Sequence, residues 1–221
     1  MTVSPGSAPR AYRAFLFDMD GTLITSTAAA ERVWTRWAER HGIDPVAFIP
    51  TIHGVRTADT IRRQNLPGVD LAAEVAWLER GEIEDVEGVA PIPGAIDFVK
   101  RLPPDRWAVV TSATAPLALA RLKAAGVEPP AVLITAEDVE RGKPDPAGYR
   151  LAAQRLGVDV ADCLVFEDAP AGIAAGEAAG ADLLVVTAAW THPLETPHPQ
   201  LSDYETATLV VEADGGLTLS V

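Results

Sequence analysis

The feature that most constrains this chain is a set of short apolar runs, each ending at a polar residue capable of chemistry. Ala14-Phe15-Leu16-Phe17 ends at Asp18, Trp107-Ala108-Val109-Val110 at Thr111 and Ser112, and Val132-Leu133-Ile134 at Thr135. Cys163-Leu164-Val165-Phe166 ends at Glu167, and Leu183-Leu184-Val185-Val186 at Thr187. Continuous apolar runs of this length, rather than alternating ones, suit parallel strands covered on both faces. Thr208-Leu209-Val210-Val211 offers a further strand near the end of the chain. The expected fold class is therefore α/β. Ligands of open α/β sheets bind beyond the carboxyl ends of the strands, which is where these polar residues fall.

Helical segments lie between the runs. Residues 117–125 carry Leu117, Ala120, Leu122 and Ala125 and stop before Gly126, which suits a C-terminal cap. Asp145-Pro146 reads as an N-cap followed by proline at the first helical position, opening a helix that closes at Gly157. The alanine-rich stretch 169–179 contains Gly172 and Gly176 and is followed by Gly180, a spacing that suits close packing of a helix on the sheet. Residues 18–106 separate the first two strand runs, far more than a simple crossover requires. That interval has helical patterns at 28–40, 57–65 and 71–84 and no comparable strand. It is expected to be a helical cap, residues 26–90, inserted into a core of residues 1–25 and 91–221. Trp34 and Trp37, three apart, are expected to pack the small core of that insertion.

Charge narrows the partners. With 31 acidic against 18 basic side chains the formal net charge is -13, which argues against nucleic acid or an anionic membrane surface. No uninterrupted apolar stretch approaches the roughly 20 residues of a membrane span, and residues 1–9 lack the apolar block of a secretory leader. The lone cysteine, Cys163, excludes an internal disulfide framework and fits a reducing, cytoplasmic setting. His41, His53, His192 and His198 lack the clustered spacing of a zinc site, and Ser112 is not in a Gly-x-Ser-x-Gly elbow. The stretch Trp190-Thr191-His192-Pro193, with Pro197 and Pro199 beyond it, reads as a proline-stiffened loop.

Four groups carry candidate chemistry. Asp18-Met19-Asp20-Gly21-Thr22 sets two carboxylates two residues apart at a strand end, with a glycine that lets the chain turn away. Thr111-Ser112 can donate hydroxyl and backbone hydrogen bonds to an anion. Gly142-Lys143-Pro144-Asp145-Pro146 holds a lysine in a proline-braced loop. Glu167-Asp168 supplies hard oxygen ligands of the kind magnesium takes. Each alone has an ordinary explanation as a cap, a loop or a turn. Their joint occurrence at successive strand ends does not.

In this order the four groups resemble the motifs of the haloacid dehalogenase superfamily of phosphotransferases, over a match from Phe15 to about Thr187. The resemblance implies a Rossmann-like parallel sheet with a helical cap inserted between the first two motifs. The chain is most similar to the sugar-phosphate and polyol-phosphate phosphatase branch, which includes glycerol phosphate and 2-deoxyglucose-6-phosphate phosphatases. The segments that carry this are His53-Gly54-Val55-Arg56-Thr57, Ile134-Thr135-Ala136-Glu137-Asp138-Val139 and Val165-Phe166-Glu167-Asp168-Ala169-Pro170-Ala171-Gly172-Ile173.

Implied roles follow residue by residue. Asp18 would be the nucleophile that forms an aspartyl-phosphate, and Asp20 the acid that protonates the departing alkoxide and then activates water. Thr111 would bind the phosphoryl oxygens with help from Ser112, and Lys143 would offset charge and lower the Asp18 pKa. Magnesium (Mg2+) would be held by Asp18, Asp168, Glu167 and the backbone carbonyl of Asp20. In the cap, His53 and Arg56 would face the substrate, against the alternative that Arg56 pairs with Asp59 on the surface.

The expected partner is a small phosphorylated sugar or polyol, and the small cap suits a monomer. Asp20 favours phosphate-ester over carbon–halogen cleavage, since a halide leaves unprotonated. A phosphonate-cleaving relative would use a cap lysine, and residues 28–90 contain none. A phosphosugar mutase and a non-catalytic binding or scaffold protein on the same fold are the alternatives.

Overall fold

The computed structural model describes residues 10–190 and 195–221. The expectation that residues 1–9 lack a secretory leader, and those for His192 and the proline-stiffened loop at Thr191-His192-Pro193, fall on residues outside the described ones. The chain runs through β1 (Ala11–Tyr12), β2 (Ala14–Phe17) and β3 (Ile24–Thr25) into helices α1 (Thr27–Arg40), α2 (Pro45–Phe48), α3 (Thr57–Arg63) and α4 (Leu71–Glu84). It returns at β4 (Ala90–Pro91) and continues as α5 (Ala95–Lys100), β5 (Trp107–Val110), α6 (Ala115–Ala124) and β6 (Val132–Ile134). Then come α7 (Ala147–Leu156), β7 (Cys163–Glu167), α8 (Pro170–Ala179) and β8 (Asp182–Val186). The last strands are β9 (Gln200–Leu201), β10 (Thr208–Val211) and β11 (Leu217–Ser220).

Six strands form one sheet in the order β6-β5-β2-β7-β8-β9, every pair parallel. Each strand sends alternate side chains to opposite faces. Phe15, Phe17, Val109 and Phe166 pack with Phe98, Leu122 and Tyr204 on one side. Ala14, Leu16, Ala108, Val110 and Val165 pack with Tyr149, Ala152, Ala153 and Ile173 on the other. Phe17 stacks on Phe166 with ring centroids 4.4 Å apart, which ties the neighbouring central strands β2 and β7 together on one face of the sheet. Two-sided burial explains why these strands read as unbroken apolar runs.

The topology places the site. From β2 the chain moves outward to β5 and β6, then crosses back to β7 on the other side of β2. The carboxyl ends of β2 and β7 therefore meet where the winding reverses, the usual position of a ligand crevice in such sheets.

Between β2 and α5 the four helices gather a separate cluster of Val33, Trp34, Trp37, Ala38, Phe48, Ile52, Ile61 and Leu78. Trp34 and Trp37 meet edge to face there, 5.6 Å between centroids. Entry and exit of this segment are joined by the antiparallel pair β3–β4. The strand at 208–211 belongs elsewhere than the main sheet. Only residues 212–216 connect it to β11, too few for a parallel crossover, so the two close as a hairpin with Gly215 at φ +80 and β1 on its far side.

Candidate active site

β2 delivers Asp18, and β7 delivers Glu167 and Asp168, to the same crevice. Asp18 is 6% exposed, Asp168 9% and Glu167 fully buried. Ligand oxygens from the three lie within 4.8 Å of one another. Lys143 reaches in from the loop before α7, donating to Asp18 Oδ1 at 2.5 Å and to Glu167 Oε1 at 2.7 Å. Glu167 Oε1 also accepts from the Tyr149 hydroxyl (3.1 Å), and Oε2 accepts from the backbone N–H groups of Asp168 and Ala169, each at 2.8 Å. Glu167 is thereby the girder that holds Lys143 and starts α8. Thr22 Oγ1 donates to Asp168 Oδ1 at 3.4 Å. Gly21, at φ +90, turns the chain under Asp168 so closely that a Cβ there would sit 2.0 Å from Oδ2.

Three carboxylates against one ammonium leave two negative charges unmatched when all are ionised. Burial pushes Asp18 up to about 7, with Lys143 pulling it back and Glu167 and Asp20 pushing it further. Burial also raises Asp168 well above the carboxylate range, and Glu167 and Asp18 add to it. Burial works against the Lys143 ammonium, but the attraction of Asp18 and Glu167 prevails and holds it charged. Lys143 lowers Asp18 as expected, but desolvation is larger and sets the net direction. Hard oxygens with surplus negative charge at this spacing fit a divalent cation.

Asp20 stands apart from that trio. Its Oδ1 accepts from Ser26 Oγ at 2.5 Å and from Arg121 Nη1 at 3.0 Å, and Arg121 Nη2 donates to Glu82 Oε1 of α4 at 2.9 Å. Burial pushes Glu82 up, with Arg121 opposing the shift. Asp18, Asp20, Thr111, Ser112, His53, Trp34, Glu82 and Arg121 line one cleft, about 560 Å³ counting its open mouth. Trp34 therefore serves both the helical cluster and the cleft wall. Thr111 Oγ1 accepts from the Ala113 N–H at 3.0 Å. His53 lies at the cleft with Nε2 3.4 Å from Glu31 Oε1.

Ser112 and Arg56, both expected at the substrate, bond to backbone carbonyls of the protein. Ser112 Oγ donates to the Gly54 carbonyl at 3.0 Å, linking β5 to the helical segment. Arg56 donates through Nη1 to the Glu140 carbonyl (2.9 Å) and through Nη2 to the Val139 carbonyl (2.7 Å), beside a hollow it lines with Thr111, Ser112 and Lys143. Asp59 pairs with Arg62 one helical turn away. Extended backbone at Arg56, φ -63 and ψ 140, aims its side chain across to the loop that carries Lys143.

Sequence reading passed over Arg121, Glu82, Tyr149 and Ser26. A signal existed for the first two. Arg121 shares the buried side of α6 with Leu117, Ala118 and Leu122, and Glu82 lies four residues after buried Leu78 in α4. A charge at an apolar helical position asks for a buried partner.

A parallel sheet with two carboxylates at one strand end, a lysine and an acidic pair at neighbouring ends defines an α/β protein whose site could seat a cation beside an anion. Residues 12–180 match the model of the haloacid dehalogenase-like hydrolases, and the chain belongs to that family. It is 45% identical over 190 residues to hexitol phosphatase A of Escherichia coli, covering 84% of this chain and 86% of that protein. It is 36% identical over 196 residues to 2-deoxyglucose-6-phosphate phosphatase 1 of Saccharomyces cerevisiae, covering 79% and 80%. CbbY from Rhodobacter sphaeroides, solved with phosphate, shares the fold with a TM-score of 0.74 at 22% identity, over 88% of this chain and 96% of that one.

Proposed function

We propose that this chain is a magnesium-dependent phosphatase that hydrolyses a small sugar or polyol phosphate monoester through an aspartyl-phosphate on Asp18. The observation that carries this reading is the separation of two carboxylates in one cleft. Asp18 sits in the cation-fitting cluster beside Lys143, while Asp20 is held away from it by Ser26 and Arg121. That separation supports attack by Asp18 and proton transfer by Asp20.

Asp18, Asp168 and Glu167, with the Asp20 carbonyl, would hold Mg2+, which when bound offsets the charge that keeps an anionic ester from an anionic nucleophile. Lys143 steadies Asp18 and screens the incoming phosphoryl group. Thr111 and the N–H groups beyond it receive the phosphoryl oxygens. An Asp18 oxygen bonds phosphorus as the ester P–O bond breaks, and the Asp20 proton passes to the departing alkoxide. Asp20 then takes a proton from the water that opens the aspartyl-phosphate, returning both residues to their starting states. Residues 26–90 act as a cap over a core of 1–25 and 91–221, with His53 on the substrate side.

The enzyme works as a monomer in the cytoplasm. No described helix is long and apolar enough to cross a membrane.

Hexitol phosphates are the first substrates to try, given the 45% identity to a protein of that name. Phosphate release should require magnesium across hexitol, deoxyhexose and glycerol phosphates, and Asp18→Asn should abolish it. Isomer interconversion without free phosphate would make the chain a mutase. Inactivity on the whole panel would favour a binding protein.

A further inference from the structure

Arg121 is an odd residue to find where it is. It lies on the apolar side of α6 beside Leu117, Ala118 and Leu122, and only 5% of it is exposed. A buried guanidinium costs free energy unless its donors are met, and a well-packed apolar side chain of similar volume would avoid that cost. Its Nη1 reaches Asp20 and its Nη2 reaches Glu82, which is 4% exposed, while Nε has no acceptor among the described residues. Asp20 follows the first strand of the core, and Glu82 belongs to a helix of the cap segment. One buried cation thus spans the two.

What the arginine supplies is direction. Ser26 Oγ and Arg121 Nη1 both donate to the same oxygen of Asp20, Oδ1. Two donors on one oxygen restrain the carboxyl plane, and among the described residues no donor bonds Oδ2 of this cleft-lining side chain, which leaves that oxygen able to carry a proton.

We propose that Arg121 is a positioning residue for Asp20, gripping Oδ1 so that Oδ2 faces the leaving oxygen, with Glu82 anchoring the arginine from the cap. The proton on Oδ2 goes to the alkoxide as its bond to phosphorus breaks, and Oδ2 recovers one from the attacking water. Because Glu82 comes from the cap, the acid is aligned only while α4 is seated on α6. This rests on the phosphatase reading above.

The test uses leaving groups that differ in their need for a proton. A polyol alkoxide must be protonated as it leaves, whereas p-nitrophenolate departs as the anion. The variant is Arg121→Met combined with Glu82→Met, so that no unpaired charge stays buried. Its kcat on a polyol phosphate should fall about 100-fold, the scale of a general acid, while the first-turnover burst of p-nitrophenol falls less than about threefold. Arg121→Lys, whose single ammonium cannot hold both partners in the same fork, should recover only part of the loss. Equal losses on both substrates in a protein whose far-ultraviolet spectrum is unchanged would mean a merely structural role and overturn the proposal. So would full polyol-phosphate turnover in the double variant. Failure of the underlying reading looks different: the wild-type protein would release no phosphate from any alkyl ester.

Discussion

At the level of single residues, Asp18, Glu167 and Asp168 share one ammonium in a place that water hardly reaches. Burial lifts Asp18 to about 7 and Asp168 well above the carboxylate range, so the metal-free fold retains protons that an unfolded chain would release. The folded values lie above the unfolded ones. Asp18 therefore favours the folded state fully below about pH 4 and loses that contribution as pH rises through about 7, and Asp168 acts in the same direction. A divalent cation takes the place of the lost protons. Magnesium should accordingly raise the melting temperature by several degrees at about pH 8 and hardly at all at about pH 5. Thermal melts with and without the ion at the two pH values check this, and equal shifts at both would place the cation away from these carboxylates. The identities of all four residues were legible in the sequence, since each follows an apolar run or a braced loop. The net direction of the Asp18 shift was not, because it depends on how completely packing excludes water and no local pattern encodes that.

At the level of the helix, α8 shows how one spacing can serve different ends. Gly172, Gly176 and Gly180 recur every four residues, and the sequence supports close packing for all of them. A Cβ at Gly172 would lie 1.5 Å from Glu167 Oε1, and one at Gly176 2.9 Å from Leu183, while Gly180 has open space around it and φ +88 as the helix cap. Two glycines admit neighbours and the third turns the chain. Gly172→Ala should push the Glu167 carboxylate off Lys143 and Tyr149, at about 1–3 kcal/mol of stability and a tenfold or greater loss of turnover. Gly180→Ala should cost about 1 kcal/mol through backbone strain alone and leave kinetics unchanged. Denaturant melts and steady-state rates on the two variants separate these outcomes, and equal activity loss in both would show that the Glu167 contact is unimportant. Which glycine does what is decided by strands β7 and β8 lying beneath the helix. That is tertiary information, absent from the spacing itself.

At the level of the molecule, the strands of the main sheet were legible because burial on both faces writes an unbroken apolar run. The hairpin at 208–220 was only half legible, since a four-residue apolar run carries no record of its partner. The junction between the helical segment that separates β3 from β4 and the main sheet was illegible, being made by residues far apart in sequence. Arg56 illustrates this. Its donors were read as suited to a substrate, yet they meet the carbonyls of Val139 and Glu140, just upstream of Lys143. Beside them Ser112 bonds Gly54, Thr114 bonds Glu79, and Arg121 bonds Glu82. Arg56 on this view is a latch that holds the helical segment between β3 and β4 against the lysine-bearing loop. Two hydrogen bonds from a charged donor are worth about 1.5–3 kcal/mol each where water is scarce, and less at this half-exposed position. Arg56→Ala should therefore lower kcat/KM by about the same factor, on the order of tenfold, for hexitol phosphate, glycerol phosphate and p-nitrophenyl phosphate alike. Amide exchange in residues 136–145 should rise in parallel, because the carbonyls that Arg56 ties down belong to that loop. A loss confined to one phosphorylated sugar, seen as a rise in KM with exchange unchanged, would return Arg56 to the substrate and refute the latch.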